Sequence, residues 1–137
     1  MAADLNASLP VSAAGMEAQM ARIKVIAENL ANQNTTGSSP GAEAYRRRTI
    51  TFQNRLDKEL GVETVSVKSV GTDKSDLPLR YEPGNPAANK DGYVKTPNVN
   101  SFIELMDMRD AEQSYSANLN VASTTRTMLT RTLDLLK

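Results

Sequence analysis

From Leu9 to Leu30 the apolar positions advance in alternating steps of four and three: Leu9, Ala13, Met16, Met20, Ile23, Ala27 and Leu30. That spacing holds one stripe on one side of a helix. It predicts a helix over about Leu9 to Asn32, capped by Ser8 and with Pro10 in its first turn. Gly15 lies inside it, at a cost of about 1 kcal/mol relative to Ala. The stripe then ends abruptly. Asn32 and Asn34 compete for backbone hydrogen bonds, Thr35 and Thr36 are poor helix formers, and Gly37 suits a turn. Gln33 to Ala44 carries no apolar period and reads as an exposed loop.

The middle of the chain changes period. Tyr45 to Phe52 reads as a strand, with Ile50 and Phe52 on one face. Gln53 to Leu60 is charged and predicts a helical turn or two closed by Gly61. Val62 to Val70 alternates as a strand, and Leu77 to Tyr81 is extended, with Pro78 favouring an edge. Asp91-Gly92 is a turn signal ahead of Tyr93 and Val94. Together these predict one small, irregular antiparallel β unit. Past Pro97, a second stripe runs through Leu105, Met108, Ala111, Tyr115, Leu119, Ala122, Leu129, Leu133 and Leu136. This is a helix over about Ser101 to Leu136, capped by Asn98 or by a Ser101/Glu104 capping box. Acidic Glu104, Asp107, Asp110 and Glu112 near its start and Arg126, Arg131 and Lys137 toward its end complement the helix dipole.

Composition narrows what such a chain can do. It has 137 residues, enough for one ordinary domain. Hydrophobic residues make up 39%, with no Trp and two Phe, so the core is thin and order must come partly from neighbours. Lys plus Arg and Asp plus Glu both total 16, which gives no global field for nucleic acid or an anionic membrane. Arg46, Arg47 and Arg48 form the most basic run. Without interleaved aromatics they read as solvated charges at a strand start rather than a nucleic-acid grip. With no Cys and no His, thiolate chemistry and the commonest general base and metal ligand are absent. The expectation is a non-enzyme with no cofactor and no metal. No apolar run is long enough to span a bilayer, and the N-terminus lacks the pattern of a cleavable signal.

The residues at the first helix end carry a resemblance. Glu28, Asn29, Leu30, Ala31, Asn32, Asn34 and Thr35 resemble the N-terminal signature of the bacterial flagellar axial proteins, the rod, hook and hook-associated family. Here Thr36-Gly37 and a short insert precede Tyr45, where the family often continues with Pro-Gly-Tyr. Arg80 to Pro86 and Gly92 to Asn100 resemble the proximal rod members of that family, and Tyr115, Ala117, Asn118 and Leu119 resemble its C-terminal pattern. Ser116 stands where the family often has Glu.

The stripes predict an α+β chain in which long N- and C-terminal amphipathic helices pack as an antiparallel, coiled-coil-like pair with a small β-rich middle. Its parts are 1–40, the N-terminal helix and linker; 41–97, the middle domain; and 98–137, the C-terminal helix. A pair covers only part of each stripe, and the remainder is expected to meet other subunits. A non-closing contact between unlike faces propagates as a filament. The expected assembly residues are Leu9, Met16, Met20, Ile23, Leu30, Tyr115, Leu119, Leu129 and Leu133. The resemblance implies a structural subunit of the basal-body rod that transmits torque. It also implies rod proteins, copies of itself, the flagellar export apparatus and basal-body ring components as partners, and export without signal cleavage. The competing reading is a soluble helical adaptor whose ends complete their own coiled coil.

Overall fold

A computed structural model describes residues 2–136, with side chains described from residue 5. Two long helices lie at the two ends of the chain, α1 over Ala2–Ala31 and α2 over Ser101–Leu135. Between them run β1 (Arg48–Asp57), β2 (Val62–Thr72), β3 (Leu79–Tyr81) and β4 (Tyr93–Lys95). The class is α+β with a packed helix pair, as the two stripes predict. Lys137 lies outside the described residues.

Several local expectations are corrected. The charged segment after Phe52 is not helical: β1 continues through it to Asp57. Pairing with β2 outweighs its weak strand preference, and Thr64 Oγ1 donates to the Arg55 carbonyl across the hairpin at 3.0 Å. The hairpin turns at Gly61, whose φ of +65° falls where glycine is favoured. In place of one β unit there are two separate two-stranded sheets, β1-β2 and β3-β4. The second is antiparallel, with Leu79 opposite Lys95, Arg80 opposite Val94 and Tyr81 opposite Tyr93. Ser8 caps nothing, because α1 begins before it and Pro10 sits inside the helix. At α2 the cap is Asn100, whose Oδ1 accepts from the Phe102 and Ile103 amides at 3.0 and 3.3 Å. Asn98 and Ser101 are occupied elsewhere.

The chain forms two compact units. The first comprises Met1–Ile23, Thr51–Ser69 and Arg109–Lys137; the second comprises Lys24–Ile50 and Val70–Met108. In the first unit, Ser8 Oγ and Thr125 Oγ1 share a hydrogen bond of 3.2 Å. Gly15 approaches the Asn118 side chain so closely that a Cβ there would lie 2.8 Å from Asn118 Nδ2. In the second unit Asn29 meets Glu104, and Ser101 donates to Gln33. Within each unit an advance along α1 is matched by a step back along α2, so the helix segments there run antiparallel.

The face that α1 turns toward α2 is not its apolar stripe. Ser12 and Ala18 are buried in the first unit, and Val25, Ile26 and Asn29 in the second. Ala18 and Val25 lie two residues from their neighbours in the stripe, about 200° around a helix that turns about 100° per residue, whereas Ser12 and Ile26 lie on its flank, three residues past Leu9 and Ile23. Small side chains at Ser8 and Gly15 let α2 come close there, while Leu9, Met16, Ile23 and Leu30 stay half-buried and Met20 is exposed.

Candidate functional site

Two features of the structure bear on function: a polar junction in the second unit, and apolar side chains on the helices that stay exposed.

The junction is built around Asn29, which has no exposed surface. The side-chain amide has two donors and an acceptor oxygen with two lone pairs. All four are used. Nδ2 donates to the Arg48 carbonyl at 2.9 Å and to Glu104 Oε2 at 3.1 Å. Oδ1 accepts from the Tyr45 hydroxyl at 2.9 Å and from the Arg48 amide at 2.8 Å. Asn29 thereby joins α1, the linker, the start of β1 and α2.

Carboxylates and guanidiniums close the shell around it. Glu104, with no exposed surface, accepts from Arg47 Nε, and Arg47 also lies 3.6 Å from Asp107. Arg48 pairs with Glu28. Arg46 reaches the Ser75 carbonyl at 2.9 Å and Glu43 at 3.0 Å. The three arginines are therefore not merely solvated charges at a strand start: each holds a carboxylate. A buried carboxylate keeps its charge at tolerable cost only when it is paired and hydrogen-bonded. Glu104 is consequently taken from the capping-box role and given to Arg47 and Asn29.

Further bonds fix the linker. Asn32 Nδ2 donates to the Glu28 carbonyl at 2.9 Å, Thr35 Oγ1 donates to Asn32 Oδ1 at 3.1 Å, and the Tyr45 amide donates to the Thr35 carbonyl at 3.1 Å. Asn98 Oδ1 accepts from the Arg47 amide at 2.7 Å, while its Nδ2 reaches Ser75 Oγ at 2.9 Å. Burial raises the Tyr45 pKa. Lys95, then Arg46, hold the Glu43 carboxyl below its usual range through hydrogen bonds. Glu28, Asn29, Asn32 and Thr35 of the signature thus act within the junction, and Tyr45, Arg47, Asn98 and Glu104, outside the signature, complete it. Charge complementarity between Arg46–Arg48 and the carboxylates at the helix ends was the signal for the latter group.

The expected assembly residues fall elsewhere. On α1, Leu9, Met16, Ile23 and Leu30 are half-buried, and Met20 is 53% exposed. On α2, Tyr115 and Leu129 are half-buried, while Leu119 and Leu133 are 50% and 62% exposed. Of the remaining signature residues, Leu30 and Asn118 are half-buried; Ala31 and Ala117 are exposed. Phe102, Met106, Val121 and Met128 add to the exposed apolar side chains of α2. No helix among the described residues is long and apolar enough to cross a membrane. Nor do the described residues group three or more His, Cys, Asp or Glu in a way that would hold a metal.

Comparison with known proteins gives this arrangement its setting. Residues 9–37 match the family described as flagella basal body rod protein, and residues 90–135 match the C-terminal family of the flagellar basal body rod FlgEFG proteins. The flagellar basal-body rod protein FlgC of Agrobacterium fabrum is 49% identical over 97% of this chain and 96% of its own length. The chain belongs to the FlgC family of flagellar basal-body rod proteins. FlgC of Salmonella typhimurium is 38% identical over 91% of this chain and 92% of its own length, and FlgC of Bacillus subtilis is 33% identical over 93% and 95%. The two matched segments coincide with most of α1 and α2. As a FlgC-family member the chain is a structural protein of the basal body, not an enzyme.

Proposed function

We propose that this rod subunit assembles with copies of itself and with other rod proteins through the outward apolar faces of α1 and α2, forming part of the shaft that carries torque. The observation that supports this is the apolar side-chain surface on both helices that stays exposed in the single chain. Ala111 is buried and Tyr115 and Leu129 are half-buried, while Met20, Leu119 and Leu133 keep half or more of their surface exposed. A contiguous apolar face on a soluble chain marks an interaction surface. Unlike faces that meet without closing a ring extend into a filament.

In this reading residues 1–40 and 98–137 form the axial parts, and residues 41–97 form the outer part of the subunit. The chain reaches its place through the flagellum's export apparatus without signal cleavage, and basal-body ring components are among its neighbours. Absence of disulfides suits passage in an unfolded state.

The test is complementation of a non-swimming strain that lacks its own copy of the gene. Met20→Glu and Leu119→Glu are expected to abolish swimming while immunoblots show undiminished protein and circular dichroism shows unchanged helix. Normal swimming by both variants would overturn the assembly faces, and a soluble adaptor would then be the better reading.

A further inference from the structure

Between α1 and α2, size and hydrophobicity do little to choose a register. Ser12, Gly15 and Ala18 on α1 and Ala111 and Asn118 on α2 are small or polar, and neighbouring turns look much alike to one another. The same helices must also present apolar faces that are attractive to other helices. A chain built this way needs a device that selects one pairing.

We infer that the buried Asn29–Glu104–Arg47 cluster is a register lock, which specifies the antiparallel α1-α2 pairing rather than adding chiefly to its strength. Every bond in it is directional. Glu104 accepts from Asn29 Nδ2 through one oxygen and from Arg47 Nε through the other. Asn29 has no spare hydrogen-bonding capacity, because Tyr45 and the backbone of Arg48 use the rest. Sliding α2 by four residues, about one helical turn, places Glu104 beside Val25 in one direction and beside Gln33 in the other. Asn29 then faces Asn100 or Met108. Either slip strips a fully buried carboxylate of its partners, the situation that buried charge tolerates least. Pairing α1 with α1, or α2 with α2, fails in the same way, since each half of the cluster lies on a different helix. A buried polar contact that fixes register while contributing little net stability is the best-attested use of such groups.

The absence of cysteine makes the test direct. Ser8→Cys with Thr125→Cys places thiols where the two hydroxyl oxygens are 3.2 Å apart, and reports the native register. Ser8→Cys with Leu129→Cys, and Ser8→Cys with Val121→Cys, report a slip of one turn in either direction. Disulfide closure within the full-length monomer is scored at high dilution. With the cluster intact, only the native reporter closes efficiently. With Asn29→Leu, Glu104→Leu and Arg47→Met together, helix content is retained and the ratio of slipped to native closure rises by about tenfold or more, the change that accompanies about 1.4 kcal/mol. Glu104→Gln, whose one acceptor oxygen can serve only one of the two donors and whose NH2 is set against the other, shows slippage between that of the intact cluster and that of the triple variant. Native closure alone in the apolar triple variant would overturn the lock. Loss of helix in that variant would overturn it as well, since the cluster would then be a source of stability rather than of specificity. Slippage in Glu104→Gln no greater than with the intact cluster would overturn the lock, because one of its directional bonds would have been lost without effect.

Discussion

Tyr45 donates its hydroxyl proton to Asn29, and burial raises its pKa above the ordinary phenol value of 10.0; Arg48 opposes the shift while Glu28 and Glu104 reinforce it. The phenol therefore ionises at lower pH in the unfolded chain than in the folded one. Its contribution to stability is full below the unfolded pKa of about 10 and is lost as pH rises through the folded value. A spectroscopic titration of phenolate absorbance is expected to show a component that ionises later than an ordinary phenol. In Tyr45→Phe that late component disappears and the alkaline fall in stability becomes shallower. Survival of a late component in Tyr45→Phe, or its absence from the unsubstituted chain, would contradict this account. The residue was legible only as a strand start, because nothing in Tyr45-Arg46-Arg47-Arg48 announces a buried hydroxyl. Asn29 was legible as part of a signature but without a role. Its position four residues after Val25, on the face that proves to be buried, was the available clue.

At the scale of elements, the two helices were legible from period and composition. On α2 the stripe supplies buried Ala111 and half-buried Met108, Tyr115, Ala122 and Leu129, but the buried face of α1 was not legible. A stripe of Leu, Met and Ile outweighs Ser12, Gly15 and Ala18 in any reading based on hydrophobicity, yet close packing is decided by which side chains are small enough to let backbones approach. The extension of β1 to Asp57 was hidden for a related reason: Gln53, Asn54, Arg55 and Asp57 have no strand preference and are held by hairpin pairing alone. Gly15 tests the packing argument. A Cβ there would lie 2.8 Å from Asn118 Nδ2, an atom that also donates to the Ser114 carbonyl at 3.0 Å. Gly15→Leu is expected to cost roughly 1 to 3 kcal/mol in urea unfolding through overpacking, despite a helix propensity better than that of glycine. Asn118→Ala should recover part of that loss in the double variant. The coupling should exceed the roughly 0.3 to 0.5 kcal/mol scatter of independent sites, and strict additivity would argue against contact between the two positions.

For the whole molecule, the balance of charge and the outward apolar side chains predict how association responds to salt. With 16 basic and 16 acidic residues there is no net charge to oppose close approach of copies and no global field to draw them together. The charged groups at the junction are already paired within the chain, as in Arg47 with Glu104 and Arg48 with Glu28. In the proposed assembly, association rests on exposed side chains such as Met20, Leu119 and Leu133. Sodium chloride screens exposed charges to within about 3 Å at about 1 M, whereas sulfate strengthens the burial of apolar surface. In sedimentation velocity at a fixed concentration of the full chain, the weight-average sedimentation coefficient should change little as sodium chloride is raised and should increase with sodium sulfate. A variant carrying both Met20→Glu and Leu119→Glu should lose the sulfate response while keeping its helix content. Dissociation by sodium chloride would instead assign the contacts between copies to ion pairs, and the apolar faces would have to be sought in contacts with other proteins of the rod.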